Sequence, residues 1–395
     1  MILLTGSTGL LGGHVLYALL QKYEHVAALK RPSSHTDTLR EIFSYYTKQP
    51  DVLLERIEWR SGDLLDPGSL AEALQGISLI INCAAIVSFQ PRDRKKLITN
   101  NVEGTGNLVK AILSSDKNSQ AERQGDERTV LIHISSTSAL GDGPGNDPRF
   151  LIDEHTPRDP KRKHSGYSVS KFESEQVLKE LGDRVIILNP GIILGPGQWN
   201  KGSSQLFVKA WEGLKYYPYG GTGYVDVRDI ADIITEIGCR VPAFAGMTEN
   251  GIGYQEANAQ SLPVSPSPRP SSTVHRLSSP VTRPPSPISQ RYCLVGANLR
   301  YREFFNLVTD EFGKPNPSVY AGRFLSGLAW RGDCFMAWIK RRNPLLTRET
   351  AESAQRISYY SAEKIIQAIG YKFRPIGETV GWVADCFRKT LDGRL

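Results

Sequence analysis

Cysteine, histidine and long apolar runs are all scarce in this chain, and each scarcity narrows what the protein does. Five cysteines (Cys83, Cys239, Cys293, Cys334 and Cys386) lie far apart with no C-x-x-C pair. That pattern argues against a disulfide framework and a thiolate metal site, and favours reduced thiols in a cytoplasm. The seven histidines form no H-x-x-x-H pair, so no metal is expected. No eighteen consecutive apolar residues occur, so no integral membrane segment is expected. The apolar start at Met1 carries no charged leader, so no secretory signal is expected either. The net charge of +7 is dispersed. Lys161-Arg162-Lys163 and Lys340-Arg341-Arg342 are short and lack interleaved stacking aromatics, which fits a solvated face or an anion-steering rim better than a nucleic-acid partner.

What is present begins at once. Met1 to Leu4 are apolar, and Thr5-Gly6-Ser7-Thr8-Gly9-Leu10-Leu11-Gly12 follows. Val15, Leu16, Leu19 and Leu20 then fall on one side of a helix from Gly13 to Leu20. Buried strand, glycine turn and helix in that order leave room for a pyrophosphate at the positive helix end. Further strands are expected at His25–Leu29, Arg56–Trp59, Leu79–Ala85, Val130–Ser135 and Val185–Asn189, and helices at Leu70–Leu74, Asn101–Leu113 and Tyr167–Leu181. This alternation predicts an α/β fold, a Rossmann-type doubly wound parallel sheet, with ligands at the carboxyl ends of its strands.

Composition changes near Arg240. From Ser261 to Ser289, 8 of 29 residues are Pro and 9 are Ser, with no acid. So little apolar side chain cannot offset the entropy of ordering, and 240–290 reads as a disordered insertion in a surface loop. The expected organisation is thus a cofactor-binding domain over 1–239, with parts of the substrate site from about 190, and a smaller substrate-binding part over 291–395. There Arg291–Gly296 reads as a strand, and Tyr301–Phe312 and Ala362–Ile369 as helices.

Two motifs carry chemistry. Tyr167 and Lys171 open the long helix at i, i+4, which sets phenol and ammonium on one face. A nearby cation stabilises phenolate, so the expected effect is a lowered tyrosine pKa suited to proton exchange with a substrate oxygen. The fifth strand ends in Ser135-Ser136-Thr137-Ser138, which places hydroxyls in the ligand crevice.

Taken with Asp63-Leu64, Asn82-Cys83-Ala84-Ala85, Asn101-Val-Glu-Gly-Thr105 and Asn189-Pro190-Gly191, these motifs occur in a recognisable order. The chain resembles an extended short-chain dehydrogenase/reductase of the NAD-dependent epimerase/dehydratase family, similar in kind to dihydroflavonol reductases and 3β-hydroxysteroid dehydrogenases. The resemblance implies Tyr167 as general acid/base, Lys171 as the group that binds the nicotinamide ribose and tunes the tyrosine, Ser136 as the substrate-orienting hydroxyl, and Asn101 as a proton-relay residue. It also implies a cofactor site built from Thr5, Gly6, Thr8, Gly9, Leu10, Leu11, Gly12, Asp63, Leu64, Ala84, Ala85, Lys171, Pro190 and Gly191.

The end of the second strand selects the nucleotide. An acid there would bind the ribose 2′-hydroxyl of NAD, but Lys30-Arg31-Pro32-Ser33 stands in its place. Arg31 and Ser33 suit a 2′-phosphate, so NADP is expected over NAD. The aromatic stretch Phe324–Ile339 is expected to cap the pocket of an apolar small-molecule substrate, with peripheral membrane contact and a homodimer left open. His133 is expected to be a buried structural residue and Cys83 a small buried hydrophobe. Two rivals stand beside an oxidoreductase. One is a nucleotide-sugar epimerase or dehydratase with retained NAD, which Gly220–Arg228 disfavours because no Arg stands just before its aromatic residue. The other is a non-catalytic NAD(P)-sensing protein, disfavoured because tyrosine and lysine are both present.

Overall fold

The structure, a computed structural model, describes residues 1–119, 128–240, 290–322, 325–327, 330–331 and 347–393. Its main sheet has seven strands: β1 (Ile2–Thr5), β2 (Val26–Lys30), β3 (Ile57–Ser61), β4 (Leu79–Asn82), β5 (Val130–Ile134), β7 (Val185–Pro190) and β11 (Gln290–Leu294). They run parallel in the order β11-β7-β5-β4-β1-β2-β3. The order reverses between β1 and β4, which opens a crevice at the carboxyl ends of those two strands.

The central strands β1, β4 and β5 are apolar on both faces because both faces are covered. Ile2, Leu4, Leu79, Ile81, Val130, Ile132 and Ile134 join one core, beneath α1 (Leu10–Lys22), α2 (Asp37–Ser44) and α9 (Val227–Arg240). Leu3, Ile80 and Leu131 point the opposite way into a second core, beneath α4 (Pro67–Ala73) and α6 (Gly104–Ser119). Period-two alternation along each strand thus divides one apolar run between two layers. Between them in chain order lie α3 (Pro50–Leu54) and α5 (Arg94–Leu97).

The remainder forms smaller units. β8 (Ile192–Leu194) runs parallel to β10 (Gly221–Asp226), which pairs antiparallel with β12 (Ala297–Arg300). β6 (Leu151–Ile152) pairs with β14 (Tyr359–Tyr360), and β9 (Tyr216–Tyr217) with β13 (Val319–Tyr320). A third core gathers Phe207 from α8 (Ser204–Glu212), Tyr224, Phe304 and Val308 from α10 (Tyr301–Glu311), and Val383 and Phe387 from the helix Ile376–Leu391.

Segments on either side of the compositional break are interleaved. β11, the first described strand after it, closes the main sheet beside β7, whereas β12 three residues later joins β10 of the small sheet. The expected disordered insertion falls at 241–289, outside the described residues, as does most of Phe324–Ile339 and all of Lys340–Arg342. No helix among the described residues is long and apolar enough to cross a membrane.

Candidate active site

The crevice starts where β1 ends. Gly6 turns the chain with φ +69°, and a Cβ there would lie 2.6 Å from the Ala84 backbone nitrogen. A Cβ on Gly12 would lie 2.1 Å from the Gly6 carbonyl. Backbone meets backbone at both positions, so neither tolerates a side chain. Gly9 caps α1 without any side-chain acceptor, and the first turn holds no acid. The helix therefore offers its first N–H groups and positive end outward. The groove in front of it, of about 240 Å³, is lined by Thr5, Gly6, Thr8, Gly9, Arg31, Asp63, Leu64, Ala84 and Ala85 among others. Leu11 and Gly12 lie behind, buried in the first turn of α1. This cradle fits a dinucleotide: two side-chain-free close approaches, an uncapped helix end and a groove that follows the switch point.

At one end of the groove Arg31 is exposed, with no ion pair among the described residues. Lys30 is committed to the face of Trp59, 4.7 Å from its centroid. Ser33 stands exposed away from the groove lining. Ser34 lines it instead, because the Ser34 N–H donates to the Arg31 carbonyl (2.9 Å) and curls the chain back. Asp63 holds its own turn, its carboxylate accepting from the Leu65 N–H at 3.0 Å.

At the other end, β5 and α7 (Gly166–Val177) bring three expected groups together. Ser165 caps α7 by accepting from the Ser168 N–H (3.1 Å), which puts Tyr167 in the first turn. The Ser136 hydroxyl accepts from Ser138 Oγ at 3.0 Å and lies near enough to the Tyr167 phenol to favour its ionised form. Asn189 Nδ2 holds the Ser136 carbonyl at 2.9 Å. One turn beyond Tyr167, Lys171 Nζ donates to the Ile134 carbonyl at 2.8 Å. The Phe89 ring stands edge-on to Tyr167, centroids 5.6 Å apart. Burial dominates the protonation of both groups. It pushes the Tyr167 phenol up to about 12 and pulls Lys171 down to about 8. The expected lowering of the tyrosine by Lys171 is therefore not what this geometry gives: burial raises the phenol, and the opposing influence is the Ser136 hydroxyl.

Asn101 lies in a π-helical turn (Ile98–Glu103) ahead of α6. Its Oδ1 accepts from the Ile86 N–H (2.8 Å), and its Nδ2 donates to the Ile86 carbonyl and to Ser170 Oγ, both at 3.0 Å. Its carbonyl accepts from Thr105 and Ser174 hydroxyls at 2.6 and 2.7 Å. The residue thus staples the groove-lining Ala84–Ile86 loop to α7. Pro190 ends β7, and the Gly191 N–H donates to the Leu294 carbonyl (3.0 Å), where a Cβ would lie 2.5 Å from the Gly223 carbonyl. His133 is buried, its Nδ1 3.1 Å from Asn82 Nδ2, and burial raises the Cys83 thiol to about 12.

Sequence reasoning passed over Glu175, a buried carboxylate one turn beyond Lys171 that pairs with Arg291 at 3.0 Å. The i, i+4 spacing from Lys171 was its available signal. Arg291 had none, being 116 residues away. Phe89 was also passed over.

An open parallel sheet with a glycine-lined groove at its switch point and a tyrosine–lysine helix beside it defines a dinucleotide-binding α/β protein. The profile of the NAD dependent epimerase/dehydratase family matches residues 2–238, and the chain belongs to that family. A Synechocystis protein provisionally named dihydroflavonol 4-reductase is 30% identical over 236 residues, which are 58% of this chain and 60% of that protein. Cinnamoyl-CoA reductase 1 of Petunia hybrida is 27% identical over 243 residues, 58% of this chain and 66% of that one. The match thus spans under two thirds of these relatives' length. UDP-glucose 4-epimerase from Bifidobacterium longum, solved in complex with NAD+ and UDP, has the same fold: TM-score 0.64, 15% identity, 99% of each chain covered.

Proposed function

We propose that the chain is an NADP-dependent oxidoreductase acting on a carbonyl or alcohol carbon of a small, apolar substrate. When bound, the nicotinamide supplies or accepts hydride. The convergence of Tyr167, Ser136 and Lys171 at the carboxyl end of β5 carries this reading. Tyr167, protonated across the neutral range, donates its phenolic proton to a substrate oxygen in reduction and takes it back in oxidation. Ser136 holds the same oxygen from the strand side. Lys171, charged below about pH 8, holds the ribose hydroxyls and offsets charge on the phenolate. Thr5 to Gly12, Ala84 and Ala85 cradle the pyrophosphate, and Arg31 meets the 2′-phosphate, with Ser34 rather than Ser33 beside it. Asn101 acts here by stapling the groove loop. Exposed Val87 and Phe89, with Phe89 against Tyr167, offer the apolar wall that such a substrate needs. The free thiols Cys83, Cys239, Cys293 and Cys386 suit a cytoplasmic setting.

Against a nucleotide-sugar epimerase stands Arg228. Its guanidinium is engaged by Asp226 at 2.6 Å and lies 3.9 Å over Trp382, so it is not available to grip a pyrophosphate. The test compares parent, Tyr167→Phe and Lys171→Met for NADPH binding by fluorescence and for turnover on ketones, aldehydes and nucleotide sugars. Tyr167→Phe should bind nucleotide normally and lose roughly 10²-fold or more in turnover. Lys171→Met should lose both. Full turnover by Tyr167→Phe would remove it as the proton donor, and a parent that binds but never turns over would favour a sensor.

A further inference from the structure

Lys171 is 2% exposed, and an ammonium in such surroundings is costly without a counter-charge. Glu175, 3% exposed, lies one turn along the same face of α7. Its Oε1 accepts from Ser135 Oγ at 2.5 Å and Asn189 Nδ2 at 2.7 Å. Its Oε2 meets Arg291 Nη1 at 3.0 Å. Arg291 is itself fixed: it donates to the Glu154 carbonyl, and Lys364 Nζ reaches its own carbonyl at 3.0 Å. Glu154 completes the frame by accepting from the Cys293 N–H at 2.6 Å. Four elements, β5, α7, β7 and β11, therefore converge on one buried carboxylate.

We propose that Glu175 is a positioning residue which, locked by Ser135, Asn189 and Arg291, keeps Lys171 charged and aimed at the carboxyl end of β5. The proposal rests on the reading of Lys171 given above. The charged and titratable groups facing Lys171 are Tyr167 and Glu175 from α7, Cys83 after β4 and His133 from β5. Those facing Glu175 are Lys171, Arg291 and, less closely, Arg158. Burial draws the proton off Lys171, and the Glu175 charge is the first influence opposing that loss. Arg291 shares the same carboxylate, so it weakens what Lys171 feels. Removing the Glu175 charge and removing its Arg291 partner should therefore move Lys171 in opposite directions, which a purely structural role would not produce.

The experiment follows the Lys171 side chain by NMR in protein labelled with 13C-lysine, its resonance assigned by its loss in Lys171→Met. The parent midpoint is expected near pH 8. Glu175→Gln keeps the shape and the acceptor for Ser135 but removes the charge, and should lower the midpoint by about one unit or more. NADPH affinity should fall off at correspondingly lower pH. Glu175→Asp should recover part of the shift. Arg291→Met frees the carboxylate and should raise the midpoint, which keeps the test alive even where Glu175→Gln fails to fold. An unmoved midpoint in Glu175→Gln, or a downward shift in Arg291→Met, overturns the proposal. Shifts in the expected directions combined with full turnover by Lys171→Met would support the coupling while overturning the catalytic assignment of the lysine.

Discussion

In the proposed reading, the exposed Arg31 decides which nucleotide the groove accepts. The neighbouring Lys30 is drawn onto Trp59, and Asp63 is occupied with its own turn. That leaves Arg31 as the exposed cation lining this end of the groove. A guanidinium can form charge-assisted hydrogen bonds to a phosphate, whereas a carboxylate at the same place repels it. Arg31→Asp should therefore weaken NADP binding by about 2 kcal/mol or more, roughly thirtyfold, while NAD binding holds or improves. Fluorescence titrations with NADPH and NADH on both proteins measure this directly. Equal NADPH affinity in the two would take Arg31 out of the site.

At the scale of elements, α1 does two jobs, and the sequence displayed only one. Its glycine entry was legible because Gly6 and Gly12 are places where backbone must touch backbone. Its other job centres on His14, fully buried, with Nδ1 on the Tyr46 hydroxyl at 2.5 Å and Nε2 on the Pro196 carbonyl at 2.8 Å. These partners come from 32 and 182 residues away, which no local pattern can display. The same contrast holds elsewhere. Strand positions were readable from two-sided apolar runs, with ends off by one to three residues, the largest miss being Leu79–Ala85 against Leu79–Asn82. The helix expected over Tyr167–Leu181 ends its α part at Val177 and continues as a 3₁₀ segment from Leu178, until the chain breaks at Gly182 with φ +60°. The Asn101 helix begins instead as a π turn, pinned by contacts to Ile86, Ser170 and Ser174. Glu175 and Arg291 escaped because their meaning lies in a long-range pair. For His14, burial pulls the pKa from 6.5 to about 4, so the folded state holds the neutral ring. Stability from this residue is complete above about pH 6.5 and is lost as pH falls toward 4. The loss is on the order of 2 kcal/mol by pH 5. Buried His133 acts in the same direction, while Asp229, pushed up by burial, acts oppositely and lower on the scale. Thermal melts from pH 7 to 5 should show a falling midpoint whose slope is reduced in His14→Gln. An unchanged slope would acquit His14.

At the scale of the molecule, two sheets are closed by strands from beyond the compositional break. β11 covers the edge of β7, and β12 covers β10, so residues 290–300 stitch the cofactor half to the Phe207–Tyr224–Phe304 core. Arg291 on β11 also reaches Glu175 beside Lys171. Both sheets therefore need 290–300, whereas the composition of Val241–Ser289 gives that stretch little apolar surface to bury. We expect those forty-nine residues to be dispensable. Replacing them with a linker of about six Gly and Ser residues shortens the closure between Arg240 and Gln290. The entropy saved is at most about 2 kcal/mol by the logarithmic dependence on loop length. The variant should melt within a few degrees of the parent or slightly above it, since about 1 kcal/mol moves the midpoint by roughly 2–4 °C. NADPH affinity should be unchanged, because the groove-lining residues and Lys171 all lie before Val241. Turnover is the sharper readout. If β11 settles in register, Arg291 still meets Glu175 and turnover follows the parent. A register shift of one residue would turn Arg291 to the other face of the sheet and cost activity while binding survived. Aggregation, or a loss of nucleotide affinity, would instead show that Val241–Ser289 contributes to the fold.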